Sequence, residues 1–271
     1  DNCGVTSFTS THASGDTFDE GVTTVTYTAM DAAGNTTTSS FTVTVSDGEA
    51  PVISGNPADI TQTADAGQCS AVVTYTAPTA TDNVAIISFS GDAASGDTFP
   101  VGTTTVTYTA IDDAGNTTTS DFTVTITDNE APAIADTPAN ITQTADAGQC
   151  GAVINYTAPT ASDNCAVTSF SGDAASGDTF PVGTTTVTYT AVDPAGNTTT
   201  SSFTVTITDD EAPAIAGTPA NITQSNDAGI CGAAVSWADL TASDNCAVAS
   251  LTGTHASGDT FAVGTTTVTF T

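Results

Sequence analysis

The sequence predicts an all-β chain of tandem immunoglobulin-like β-sandwich modules. Three observations predict it: an 81-residue internal repeat, apolar residues that alternate with period two, and no helical periodicity anywhere. Asp163-Asn164-Cys165 returns as Asp244-Asn245-Cys246, and as Asp82-Asn83-Val84 one unit earlier. Glu49-Ala50-Pro51 returns at Glu130 and Glu211, and Gly34-Asn35 at Gly115 and Gly196, with no insertion or deletion. The repeat divides the chain into a part-unit at 1–46, complete units at 47–127 and 128–208, and a part-unit at 209–271. A window that cuts two modules reads as a segment of something longer.

Within the unit 128–208, Thr186-Val187-Thr188-Tyr189-Thr190-Ala191 and Phe203-Thr204-Val205-Thr206-Ile207-Thr208 alternate strictly. Such runs mark half-buried antiparallel strands, with Val187, Tyr189, Phe203, Val205 and Ile207 inward and threonines outward. Asp193-Pro194-Ala195-Gly196-Asn197 between them has the composition of a hairpin loop. Shorter pieces around Ile134, Ile141, Ile154, Val167 and Phe170 bring the total to about seven strands, the count of a sandwich. The outward threonines read as a soluble face of good strand formers. Glycosylation, lateral contact between fibres and ice binding are the alternatives.

Composition narrows the function. The chain has 30 acidic residues, no lysine or arginine and a net charge of −30. Nucleic acid and anionic membrane surfaces are excluded as partners, because phosphate binding depends on cationic side chains. No apolar run is long enough to span a membrane. Each carboxylate must be solvated, hydrogen-bonded to N–H or O–H groups, or met by an external cation. Catalysis is not expected. His12 and His255 occupy equivalent positions, but Ala93 and Ala174 stand there in the middle units, and no nucleophile motif accompanies them. Trp237 replaces Tyr75 and Tyr156 and reads as a core or edge variant.

The six cysteines point to disulfides in an oxidising, extracellular compartment. Cys150 and Cys165 are close in sequence, and Cys231 and Cys246 repeat their spacing, which reads as one staple inside each unit. Val84 stands where Cys69 would find its partner. Cys69 is therefore expected to be a free thiol, an intermolecular link or a sequence error.

The order Asp-x-Glu-Ala-Pro, Cys, Tyr, Pro-Thr-Ala-x-Asp-Asn-Cys, Gly-Asp-Thr-Phe-Pro-Val-Gly-Thr-Thr-Thr-Val-Thr-Tyr-Thr-Ala-x-Asp-x-Ala-Gly-Asn resembles the hyalin repeat, or HYR, domain over the whole chain. The resemblance implies immunoglobulin-like modules of extracellular proteins of the cell surface or matrix, associated with adhesion. The threonine-rich wording looks similar to bacterial surface proteins.

The candidate site is the set of acidic groups at the module junctions. It comprises Asp47, Glu49, Asp82, Asn83 and Asp112 at one junction, Asp128, Glu130, Asp163, Asn164 and Asp193 at the next, and Asp209, Glu211 and Asp244 at the third. Asp65 and Asp97 are expected to face such a junction from the end of a preceding module. Calcium takes six to eight oxygen ligands, which carboxylates, an amide and carbonyls can supply. The linker wording is also similar to that of cadherins. The competing reading is that these are turn residues, with Asp193 closing an Asx turn. The expected function is a structural stalk or fibre segment stiffened by disulfides and junction calcium, its partners being neighbouring modules. The alternatives are an adhesin module for glycan or protein, and a homopolymeric fibre assembled by strand exchange.

Overall fold

The computed structural model describes residues 2–271. Among these residues it contains strands and no α-helix. The chain forms two compact units, residues 1–129 and 130–271.

In the second unit, the complete repeat is built on a long hairpin. Strand Gly183–Val192 pairs antiparallel with Thr198–Thr208, and every residue of the first from Gly183 to Val192 has a partner in the second. Ser169–Gly172 adds antiparallel to the outer edge of the first strand, and Ile141–Thr144 adds parallel to the second. The facing layer consists of two short pairs, Ala133–Ala135 with Thr160–Ser162 and Gly151–Val153 with Thr179–Pro181. The first unit repeats this arrangement one period earlier, with a four-stranded sheet of Ile60–Thr63, Thr117–Thr127, Gly102–Asp112 and Ile86–Gly91.

The alternation in sequence becomes the two faces of this sheet. Val187, Tyr189, Phe203, Val205 and Ile207 are buried and pack with Ala152, Ile154 and Phe180 of the facing layer. The intervening threonines are exposed or half-buried, and Thr184 Oγ1 lies 3.2 Å from Thr206 Oγ1 across the hairpin. Tyr189 needs room as well as cover. A Cβ on Gly172 would sit 2.8 Å from its ring, so glycine lets this edge strand close over the tyrosine. The Tyr189 hydroxyl meets Tyr156 Oη at 3.3 Å, and Tyr156 donates to the carbonyl of Ala174 at 2.8 Å. Burial, and then the bond with Tyr189, push the Tyr156 hydroxyl above its ordinary pKa. Trp237, in the same repeat position, keeps the packing role, with ring centroids 6.1 Å from Phe261 and 6.4 Å from Phe270.

The part-repeats show what one layer lacks without the other. Val5–Ser10, Gly21–Asp31 and Thr36–Val45 form a three-stranded sheet on which Phe41 is 52% exposed. Its equivalents Phe122 and Phe203 are 3% and 2% exposed under a facing layer. The hydrophobic face is therefore specified locally, but its burial needs both layers.

Truncating Ile207 to Ala removes a side chain at the centre of the second unit's core and is expected to cost about 2–5 kcal/mol. Thr206→Ala on the outer face is expected to stay within about 0.5 kcal/mol. Urea unfolding of the two variants beside the parent chain measures both.

Candidate functional site at the repeat junctions

Each junction is organised by the loop of the long hairpin. In the second unit the loop places Asp193 so that its backbone N–H donates to the Asn197 carbonyl and Gly196 N–H returns to the Asp193 carbonyl. Gly196 has a φ of 90°, a left-handed turn position that suits glycine. The Asp193 carboxylate then accepts from Asn197 twice, from the backbone N–H at 2.8 Å and from the side-chain Nδ2 at 2.7 Å. Asn197 Nδ2 also donates to the carbonyl of Glu130 in the linker, at 3.2 Å. Asp112 and Asn116 repeat the arrangement at 2.7 Å and 2.8 Å, with Asn116 reaching the Glu49 carbonyl at 3.1 Å.

Both aspartates are buried, at 0% exposure for Asp112 and 3% for Asp193. Burial alone would raise their carboxyl pKa values. The side chain and backbone of the partner asparagine, with the loop N–H groups, outweigh it and hold both below the ordinary carboxylate value. Asn116 and Asn197 are absent from the candidates drawn from the sequence, although the i, i+4 pairing Asp-x-x-Gly-Asn recurs in every hairpin loop. Asp31 and Asn35 form the same pair, with Nδ2 to Oδ2 at 2.8 Å.

Around Asp112 the structure assembles three of the predicted acids. Ligand oxygens of Asp47, Asp82 and Asp112 all lie within 4.8 Å of one another. Asp47 Oδ1 accepts from Glu49 N–H at 3.0 Å and from Asn83 Nδ2 at 3.3 Å, while its Oδ2 is buried without a hydrogen-bond donor. Asp82 Oδ2 accepts from Val84 N–H at 3.0 Å, and its Oδ1 is likewise buried and undonated. Glu49 contributes its carbonyl to Asn116, and its side chain is exposed.

In the second unit Asp163 and Asp244 play the part of Asp82. Asp163 Oδ2 accepts from Cys165 and Ala166 N–H at 2.9 and 3.2 Å, and Asp244 Oδ2 from Cys246 and Ala247 N–H at 3.0 and 3.2 Å. The other carboxylate oxygen of each is buried without a donor. Asn164 is half-buried beside them, with Nδ2 3.7 Å from Cys165 Sγ. Asp209 Oδ1 accepts from Glu211 N–H and from Asn245 Nδ2, each at 3.2 Å. Asp128 is buried at the end of the first unit. Turn chemistry therefore accounts for one oxygen of most of these acids and leaves the second oriented inward.

Asp65 and Asp97 cap their own turns, accepting from Val72 N–H at 3.0 Å and Ala94 N–H at 2.7 Å. One repeat on, the end that meets the next repeat contributes backbone groups. Gly148 N–H donates to Glu211 Oε2 at 3.0 Å, and Asn245 Nδ2 donates to the Gln149 carbonyl at 2.9 Å.

The disulfide pairing differs from the expected staple within each unit. Cys150 bonds Cys246, at a sequence separation of 96 and in the following repeat, with a Cα–Cα distance of 4.6 Å. The reason is positional. Cys150 follows directly on the loop that meets the next repeat, and Cys246 lies in the Asp244–Cys246 loop beside that repeat's entry linker. Cys165 is reached from Cys150 only after two strands, Gly151–Val153 and Thr160–Ser162. The short spacing thus connects opposite ends of one repeat and cannot close a staple within it. Cys231 is a free, exposed thiol, as is Cys3. Cys69 is disulfide-bonded, so the readings that made it a stray thiol or an error fall away.

Comparison with known proteins gives one family and several relatives. The family described as HYR domain matches residues 1–45, 46–126, 127–207 and 208–271. The chain is 40% identical over 273 residues to Hyalin of Lytechinus variegatus, covering 97% of this chain and 52% of that protein. It is 38% identical over 282 residues to Hyalin of Strongylocentrotus purpuratus, covering 100% of this chain and 24% of that protein. A Rattus norvegicus protein, "Sushi, von Willebrand factor type A, EGF and pentraxin domain-containing protein 1", is 34% identical over 170 residues, 58% of this chain and 4% of its own length. The chain spans about half the length, or less, of these curated relatives. They are animal proteins and lend no support to a bacterial source.

The hairpin aspartates set a pH dependence. Their folded pKa values are depressed, so their stabilisation is complete above the ordinary carboxylate value, about 3.9, and is lost as pH falls through the folded value. The double variant Asp112→Asn/Asp193→Asn is expected to be less stable than the parent at pH 7, with the gap narrowing below about pH 4. Urea midpoints collected from pH 7 to pH 2 measure the change.

Proposed function

Since the chain belongs to the HYR domain family, we propose that it is a non-catalytic spacer of an extracellular surface or matrix protein, in which consecutive repeats are joined covalently and by divalent cations. The observation that carries this reading is the Cys150–Cys246 bond, which ties one repeat to the next. A bond that only stabilised a fold would lie within the repeat. One between repeats restricts their relative motion, which is what a spacer under tension requires. Disulfides of this kind persist in oxidising compartments, which supports an extracellular location.

The acidic junctions support calcium as the cation. Three carboxylates with oxygens within 4.8 Å repel one another, and no lysine or arginine exists to offset them. The undonated buried oxygens of Asp47 and Asp82 are hard ligands of the type calcium prefers. Asp112 would add a third carboxylate while staying fixed by Asn116. Asp163, and Asp244 with the linker acid Asp209, offer donors of the same kind in the later repeats. When bound, the ion supplies positive charge between linker and loops. The chain's own residues orient those oxygens through the Asx turns at Asp82, Asp163 and Asp244.

One further reading has less support. An adhesin would be expected to vary its junction loops, and these are nearly identical between repeats. The histidines serve packing, with ring centroids 5.0 Å from Phe18 for His12 and from Phe261 for His255.

Calorimetric titration of the whole chain with calcium is expected to show binding that Asp47→Asn/Asp82→Asn reduces by at least one site. Small-angle scattering with calcium and then with chelator is expected to show a looser particle after chelation. Unchanged scattering together with absent heat would reject the cation and leave the acids as turn residues.

A further inference from the structure

The Cys150–Cys246 bond has a sequence separation of 96, which exceeds one period of the repeat, the step from Cys165 to Cys246. A bond longer than the period must overlap its own copy. We propose that it is one rung of an interlaced disulfide ladder, which carries tension past the four-stranded sheets and makes the array nearly inextensible. The same separation, moved back by one period, assigns Cys69 to Cys165, and both of these cysteines are disulfide-bonded. The assignment rests on covalent register and needs no premise about what the array is anchored to. Its role under tension does rest on the spacer reading.

The consequence follows from tracing the taut chain. Force arriving at Cys69 crosses to Cys165, runs backward along the chain to Cys150, and crosses again to Cys246. Only the segment from Cys150 to Cys165 carries load between rungs, a small part of each period. Fully extended it reaches about 50 Å, at roughly 3.5 Å per residue. A folded sandwich with strands of ten or eleven residues is already about 35–40 Å long. Each repeat can therefore lengthen by only about 10–20 Å, where an unbridged repeat could release well over about 200 Å. The loaded segment holds two short strands of the facing layer, Gly151–Val153 and Thr160–Ser162. The sheet that buries Val187, Phe203, Val205 and Ile207 lies wholly outside it, in Ile141–Thr144 and in residues 169–208.

The chain's own composition supplies the test. Trypsin has no site, but the four glutamates, Glu20, Glu49, Glu130 and Glu211, allow a Glu-specific protease to cut near each linker. The fragments 50–130, 131–211 and 212–271 then carry Cys69, then Cys150 with Cys165, then Cys231 with Cys246. After alkylation of free thiols and denaturation, the ladder predicts one species containing all three fragments, which separates on reduction. Three separate fragments without reductant would overturn the proposal. So would a two-fragment species of 131–211 and 212–271 beside a free 50–130, because a single strap is no ladder.

Pulling the whole chain by its two ends adds a mechanical readout. The oxidised ladder stops at a contour of about 380 Å, against about 610 Å for the single bond Cys150–Cys246 and about 945 Å after reduction. An oxidised contour near either longer value would refute the shielding. Calcium titration and scattering are independent of both results, so failure of the ion-joined spacer and failure of the ladder can be told apart.

Discussion

A chain without lysine or arginine must satisfy its buried carboxylates with N–H groups, and this constraint organises the junctions. Asp112 and Asp193 can be buried because an asparagine in the same hairpin loop supplies both a backbone and a side-chain donor. The same asparagine amide reaches the linker carbonyl of Glu49 or Glu130. One small network thus closes the hairpin, keeps the aspartate ionised and fixes the point where the chain enters the repeat. The hairpin in turn carries the sheet that holds the core, so the turn and the core are mechanically one element.

The remaining acids occupy an intermediate position. In Asp82, Asp163 and Asp244 one oxygen is held by loop N–H groups, and the other is buried and undonated. An ordinary Asx turn explains the first oxygen alone. Leaving a buried acceptor without a donor is costly, and the repetition of the pattern in three loops makes chance an inadequate account. Turn chemistry and cation binding are therefore compatible roles of the same side chain: the turn orients the carboxylate that the ion would meet.

Disulfide geometry shows how a repeat protein can gain stability that no single repeat possesses. The part-repeat at 1–46, with one layer only, leaves Phe41 half exposed, while the same residue in complete repeats is buried. A bond from one repeat to the next links units whose cores are small and individually marginal. It also closes a loop far longer than the Cys150–Cys165 segment, for which the chain-entropy model gives a greater stabilisation, on the order of 4–5 kcal/mol.

The repeat length, the inward set of the long hairpin and the identity of most junction acids were legible in the residues. Period-two alternation, Asp and Gly in turns and an uninterrupted register are local signals that tertiary context did not override. Asn197 could have been found too, since its spacing from Asp193 recurs in each loop. The partner of Cys150 could not be read locally. Sequence spacing measures distance along the chain, and the segment to Cys165 runs the length of a sandwich, whereas Cys246 comes close only when the next repeat is seated. That Asp47, Asp82 and Asp112 gather at one junction was legible from the repeat, but the approach of their oxygens to within 4.8 Å was not. Asp47, Asp82 and Asp112 belong to a linker, a loop and a strand end, and only the folded sandwich brings their oxygens together.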